Sequence, residues 1–142
     1  MTTPVSGSVQ ITAESAPRFQ VKLVHGPSST VINTEAPRDN GGTGSSFSPT
    51  DLVGAALASC AMTTMALAAS REGLPWGQVS ARIEKRMSSA PRQIAELSVE
   101  IAMPAGLAPP QRVHLEEVGR KCPVARSLHP DVSVPMVFKY PD

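Results

Sequence analysis

Two cysteines, Cys60 and Cys122, are the residues of this chain whose types and settings could do chemistry. A thiol reacts as its thiolate, and only where a substrate can reach it. Cys60 lies in an uncharged run from Leu52 to Ser70, too far from the start of that segment for a helix N-terminus to favour its ionised form. Apolar surroundings disfavour a thiolate, so a reactive thiol here requires a nearby cation, and Arg18 and Arg38 are the upstream candidates. Otherwise Cys60 is a small buried hydrophobe, the commoner fate of a free cysteine. Cys122 is followed by Pro123, which suits the first position of a helical turn and makes Cys122 its N-cap. Backbone N–H groups there would favour a thiolate; equally, the residue could simply cap or pack. If the two sulfurs meet, a sulfenic acid on one could be resolved by the other as a disulfide.

Other chemistries find little support. His25, His114 and His129 show no metal-ligand spacing with one another or with the cysteines, so neither a metal nor a cofactor is expected. Gly41-Gly42-Thr43-Gly44 lacks the lysine of a phosphate loop and the glycine spacing of a dinucleotide site, and reads as a mobile loop over a pocket. Ser48, Ser59 and Ser70 have no evident histidine base. Thirteen basic against twelve acidic residues leave a net charge of +1, which argues against nucleic-acid and membrane-surface partners. One Trp, one Tyr and three Phe cannot build a base-stacking platform. Two cysteines do not make a secreted disulfide scaffold, and the N-terminal residues lack the basic and apolar regions of a signal peptide; the expected location is the cytoplasm.

The elements that must position the thiols follow from the apolar pattern. A length of 142 residues suits a single domain spanning 1–142. Val9 to Glu14, Phe19 to Val24 and Thr30 to Thr34 alternate as three strands of an antiparallel meander, after eight loosely held residues. Pro37 to Ser46 is a loop. Ser48 and Pro49 then start a long helix that ends at Arg71, Gly73 and Pro75. Its Ala-, Ser- and Thr-rich composition fits a buried core helix better than a membrane span. Gln78 to Met87 and Ile94 to Met103 pair as strands across a turn at Ser88 to Arg92. A second helix covers Gln111 to Lys121, with Glu116–Arg120 and Glu117–Lys121 as i,i+4 pairs. After a short turn from Val124 to Leu128, Val132 to Phe138 is a last strand, at an edge or bulged because of Pro135. Strand groups separated by helices indicate α+β. A core built from small aliphatic residues buries little area per side chain, which favours an oligomer.

With these elements in place, the sequence resembles the OsmC/Ohr family, the osmotically inducible and organic hydroperoxide resistance proteins. The likeness rests on Asp39-Asn40-Gly41-Gly42-Thr43-Gly44, Ser48-Pro49-Thr50-Asp51-Leu52, Ala55-Ala56-Leu57-Ala58-Ser59-Cys60 and Cys122-Pro123-Val124, in that order. The resemblance implies an OsmC-like fold of antiparallel sheets wrapped around long central helices in an intertwined homodimer. It implies Cys60 as the peroxidatic thiol and Cys122 as the resolving one, in a cofactor-free peroxidase of organic hydroperoxides reset by a dithiol or a lipoylated protein. It also implies an activating arginine, for which Arg18 lies in the expected strand region and is favoured over Arg38. The glutamate expected in the first turn of the helix is replaced by Thr50, which carries no charge, and Asp51 points about 100° away around the helix. The alternative is a non-catalytic dimer of the same fold that binds a hydrophobic small molecule near Cys60.

Overall fold

The computed structural model describes residues 7–142. Of the eight residues expected to be loosely held, 1–6 lie outside the described residues. The chain divides into two compact units, Met1–Thr50 and Asp51–Asp142.

The first unit is the expected meander, with β1 (Ile11–Ala16), β2 (Gln20–His25) and β3 (Val31–Glu35) antiparallel and adjacent in sequence order. The register pairs Ile11 with His25 and Leu23 with both Ala13 and Ile32. Side chains alternate across a sheet, so Ile11, Ala13, Val21, Leu23 and Ile32 share one face, while Glu14, Lys22 and Asn33 share the other. A three-residue turn, 17–19, joins β1 to β2, and in it Arg18 and Phe19 adopt positive φ of 64° and 60°. That region suits glycine and asparagine, so these two bulky residues hold strain at the tip of the hairpin. After β3 the chain makes one 3-10 turn, Arg38–Asn40, and a glycine-rich loop.

The second unit is organised on α1 (Pro49–Glu72), whose first two residues are counted with the first unit. Gly54, Leu57, Ala58, Ala61, Met65 and Ala69 are buried, a three- and four-residue spacing that lines one helix face. By length and composition α1 could cross a bilayer, and it is the one such helix among the described residues; here that face is part of the protein core. A Cβ at Gly54 would lie 3.4 Å from side-chain atoms of both Ile83 and Leu97, so the missing side chain lets the helix pack closely on the sheet. Asp51 adds a polar tie, its carboxylate 2.8 Å from the Lys85 ammonium. Gly73, at φ 67°, ends the helix, and the Leu74 N–H donates back to the Ala69 carbonyl at 2.9 Å.

That sheet contains β4 (Ser80–Ser89), β5 (Arg92–Ala102) and β6 (Met136–Lys139) in this order, with an irregularity in register between Arg86 and Met87. β4 and β5 are antiparallel, but β6 runs parallel to β5, so the expectation of wholly antiparallel sheets is corrected here. α2 (Pro109–Arg120) and α3 (Pro123–Ser127) lie between the two strands, and such a crossover returns the chain in its original direction. β6 begins only after Pro135, four residues later than the pattern indicates, because proline has no N–H for the ladder; a lone bridge at Ser133 precedes it. Leu57, Met65, Leu97, Ile101 and Leu115 form the fully buried centre. The C-terminal residues are fastened to α2: the Tyr140 hydroxyl donates to Glu116 at 2.6 Å, and the Arg112 guanidinium lies 4.2 Å from the Tyr140 ring centre. Both i,i+4 pairs read from the sequence form, Glu117–Lys121 at 2.6 Å and Glu116–Arg120 at 3.5 Å.

Candidate functional site

α1 and α3 bring the two thiols together. Cys60 is half-buried about three turns into α1 and packs at the margin of the core; Cys122 is fully buried. The two thiols are neighbours, close enough for Cys60 to bear on the ionisation of Cys122, and both are free. One turn beyond Cys60, the Thr64 hydroxyl donates to the Cys60 carbonyl at 2.7 Å and lies 3.9 Å from its sulfur. This is the usual back-bond of a threonine inside a helix, and here it places a hydroxyl beside the thiol.

Cys122 is the N-cap of α3, as its place before Pro123 predicts. Its carbonyl accepts the Arg126 N–H at 3.1 Å, while its sulfur makes no formed cap bond to the helix. Burial pushes the Cys122 thiol above its ordinary pKa, and the neighbouring Cys60 pushes it further; the nearby N–H groups of Ala125 and Val124 pull it down, but by less. The helix start therefore acts in the expected direction and is outweighed. Burial thus favours the neutral form of the Cys122 thiol beside Cys60.

The glycine-rich loop is braced rather than loose, because Glu35 fills it. The Glu35 side chain is buried; its Oε1 accepts the Thr43 N–H and hydroxyl, each at 2.7 Å, and its Oε2 accepts the Ser45 N–H at 3.2 Å and the Ser45 hydroxyl. The two hydroxyls and the Thr43 N–H outweigh the cost of burial and hold the carboxyl down at about 2, against an ordinary 4.5. Two glycines make the loop path possible: a Cβ at Gly42 would fall 1.5 Å from the Ala36 carbonyl oxygen, and Gly44 has a φ of 73°.

Of the arginines, Arg18 sits in the strained β1–β2 turn and Arg38 in the 3-10 turn, where its Nε donates to the Thr43 carbonyl at 2.9 Å. Phe19, next to Arg18, accepts the Ala36 N–H through its carbonyl at 3.1 Å, and its ring approaches Gly41. The two candidate arginines thus belong to neighbouring loops at one end of the first sheet. Thr50 lies in the first turn of α1, its hydroxyl 3.2 Å from that of Ser48. Among the described residues no three His, Cys, Asp or Glu side chains cluster as metal ligands. A cleft of about 350 Å³ beside Thr64 is lined by His114, Glu117, Val118, Lys121 and Arg126, whose stems leave its accessible wall more apolar than polar.

Sequence reasoning missed Glu35 and Thr64. Glu35 alternates onto the outward face of β3 and reads as a solvated charge. Thr64 is four residues from Cys60, a spacing that was available as a signal.

The fold and the thiol pair define the class. The OsmC-like protein family model matches residues 42–136, a stretch that contains both cysteines, and the chain belongs to that family. A Psychrobacter arcticus protein, proposed to be an osmotic stress induced and detoxification response protein, is 29% identical and superposes with a TM-score of 0.88 over 95% of this chain and 98% of its own. An OsmC-like protein of Mycoplasma pneumoniae (14% identity, TM-score 0.81, 96% and 99% coverage) has the same fold. So does an organic hydroperoxide resistance protein OsmC of Legionella pneumophila (19%, 0.74, 96% and 99%). No curated relative matches the sequence.

Proposed function

We propose that this protein reduces organic hydroperoxides with Cys60 as the peroxidatic thiol and Cys122 as the resolving one. The observation that carries this reading is the placement of a half-buried thiol and a fully buried one as neighbours, one inside α1 and one at the start of α3. The Cys60 thiolate attacks the outer oxygen of ROOH; the O–O bond breaks, the alkoxide takes a proton and leaves as ROH, and Cys60 becomes a sulfenic acid. The Cys122 sulfur then attacks Cys60, its proton and the hydroxyl depart as water, and a disulfide closes. A dithiol, free or carried on a lipoylated protein, supplies the two electrons and two protons that restore both thiols. The hydroperoxide resistance named for the Legionella relative supports this substrate class.

Arg18 is our choice for the cation that favours the Cys60 thiolate. Thr50 supplies no charge to hold it, and Asp51, the adjacent carboxylate, is engaged by Lys85. We read the protein as a cytoplasmic homodimer, with 1–142 acting as one domain. Its first sheet has only three strands and leaves Ile11 and Ile32 63% and 47% exposed, a face that a second copy would cover.

The test is exposure of the reduced protein to cumene hydroperoxide and to hydrogen peroxide, with thiol loss and disulfide formation followed by mass spectrometry. Rapid Cys60–Cys122 disulfide formation, faster with the organic peroxide and lost in Cys60→Ser, is expected. Slow oxidation at Cys60 would sink the reading and leave a ligand-binding dimer. Arg18→Ala should slow Cys60 oxidation; if Arg38→Ala does so and Arg18→Ala does not, the activating cation is misassigned.

A further inference from the structure

We propose that Arg126 is a positioning residue for disulfide closure, fixing the short linker that carries Cys122; the assignment rests on the peroxidase reading. Lys121 and Cys122 alone join α2, which ends at Arg120, to α3, which starts at Pro123. The Lys121 N–H donates to the Glu117 carbonyl at 3.1 Å and the Cys122 N–H to the Gly119 carbonyl at 3.3 Å, so α2 holds both donors of the linker. The Cys122 carbonyl accepts the Arg126 N–H at 3.1 Å, the first bond of α3. The Lys121 carbonyl precedes the N-cap, and the ladder of a helix begins only at the N-cap carbonyl. The Arg126 side chain supplies its donor, with Nε at 2.7 Å. Arg126 thus grips the linker twice, by its backbone at Cys122 and by its side chain at Lys121. Those two carbonyls belong to the peptide units on either side of the Cys122 Cα, the frame from which the thiol projects.

The frame matters because a disulfide forms only within a narrow range of separations and torsions. Cys60 projects from the interior of α1, where the helix ladder fixes its backbone, so the approach of the two sulfurs is set by the linker. The α2 side of the linker is seated on α1 itself: a Cβ at Gly119 would lie 2.9 Å from Met65 Sδ, a fully buried side chain. Arg126 completes that seat from the α3 side. It meets neither sulfur in this role; it acts through the backbone of Cys122. Its side chain is exposed, so replacing it leaves the core untouched.

Two variants test this. Arg126→Met keeps an apolar stem and has no donor; Arg126→Gln places an N–H donor at the position of Nε and carries no charge. In a single exposure to cumene hydroperoxide, read by dimedone trapping and intact mass, Arg126→Met should slow disulfide closure about fivefold with Cys60 oxidation within about twofold. Arg126→Gln should restore closure to within about twofold of the unaltered protein. Unchanged closure in Arg126→Met, or equally slow closure in both variants, overturns the assignment. A second measurement needs no peroxide. Oxidised glutathione takes the two electrons and two protons of Cys60 and Cys122 and departs as two thiols, leaving the disulfide. In Arg126→Met this equilibrium should be about fivefold less favourable, a potential about 20 mV higher, and in Arg126→Gln unchanged. A protein that fails to turn over hydroperoxide refutes the peroxidase reading, and Arg126 is then judged on the glutathione equilibrium. An equilibrium unchanged in Arg126→Met, or an unaltered protein that forms no Cys60–Cys122 disulfide with glutathione, overturns the role of Arg126 whatever the activity.

Discussion

Cys122 and Glu35 are both buried, yet the protein moves them in opposite directions: the thiol is driven toward its neutral form and the carboxyl toward its charged one. Burial opposes ionisation at each. The difference lies in donors. Around Glu35 the chain supplies two hydroxyls and two N–H groups aimed at one carboxylate, so the charge is solvated by the protein itself. Around Cys122 it supplies apolar side chains, the neighbouring thiol and two N–H groups that make no formed bond to the sulfur. The first arrangement locks a loop; the second favours an uncharged sulfur.

The largest effect that would break this comparison is chemical. In Cys122→Ser, a single hydroperoxide exposure should leave Cys60 as a trappable sulfenic acid and abolish the intramolecular disulfide, read by dimedone labelling and intact mass. A Cys60 that stays a free thiol after exposure would show that it is not the sulfur the hydroperoxide oxidises. Next in size is the apolar support of the thiol side. Leu115 is fully buried on α2, and Leu115→Ala should cost about 3 kcal/mol in urea denaturation. A loss under about 1 kcal/mol would mean that this part of the core tolerates a void.

On the carboxylate side, Gly42→Ala places a methyl against the Ala36 carbonyl, which cannot give way as a flexible side chain could. Amide exchange at Thr43 and Ser45 should speed up at least about tenfold, with global stability changed much less. Equal loss of protection in α1 would mean that the loop is not a separate opening unit. The smallest effect is acid titration. Glu35 has a folded pKa below its ordinary value, so its contribution is complete above about 4.5 and disappears as pH falls toward 2. The Thr43 amide resonance should therefore titrate with a midpoint near 2 and stay flat from pH 5 to 9. A midpoint near 4.5 would refute the bracing by four donors.

Much of this was readable without coordinates. Ser48 and Pro49, the uncharged run after them and the stop at Gly73 and Pro75 specify α1, and the alternation from Leu97 to Ile101 specifies the buried face of β5, because capping and strand alternation are local consequences of backbone geometry. Pro123 likewise marks Cys122 as a cap, since proline at the first helical position needs no N–H. The direction of β6 was not readable: it depends on how a crossover containing two helices returns to the sheet. Nor was the bracing of the loop. Glu35 shares a strand face with Lys22 and Glu14 by alternation, and its partners lie eight and ten residues away along a path that depends on the close approach of Gly42 to Ala36.

The chain alone determined that a thiol sits in an uncharged helix and that a second thiol starts another, because residue type and period are properties of the polymer. Whether those sulfurs touch, and whether a buried carboxyl stays charged, was decided only in three dimensions. Both depend on distances between groups far apart in sequence, and Coulomb forces and hydrogen bonds respond to distance rather than to order along the chain.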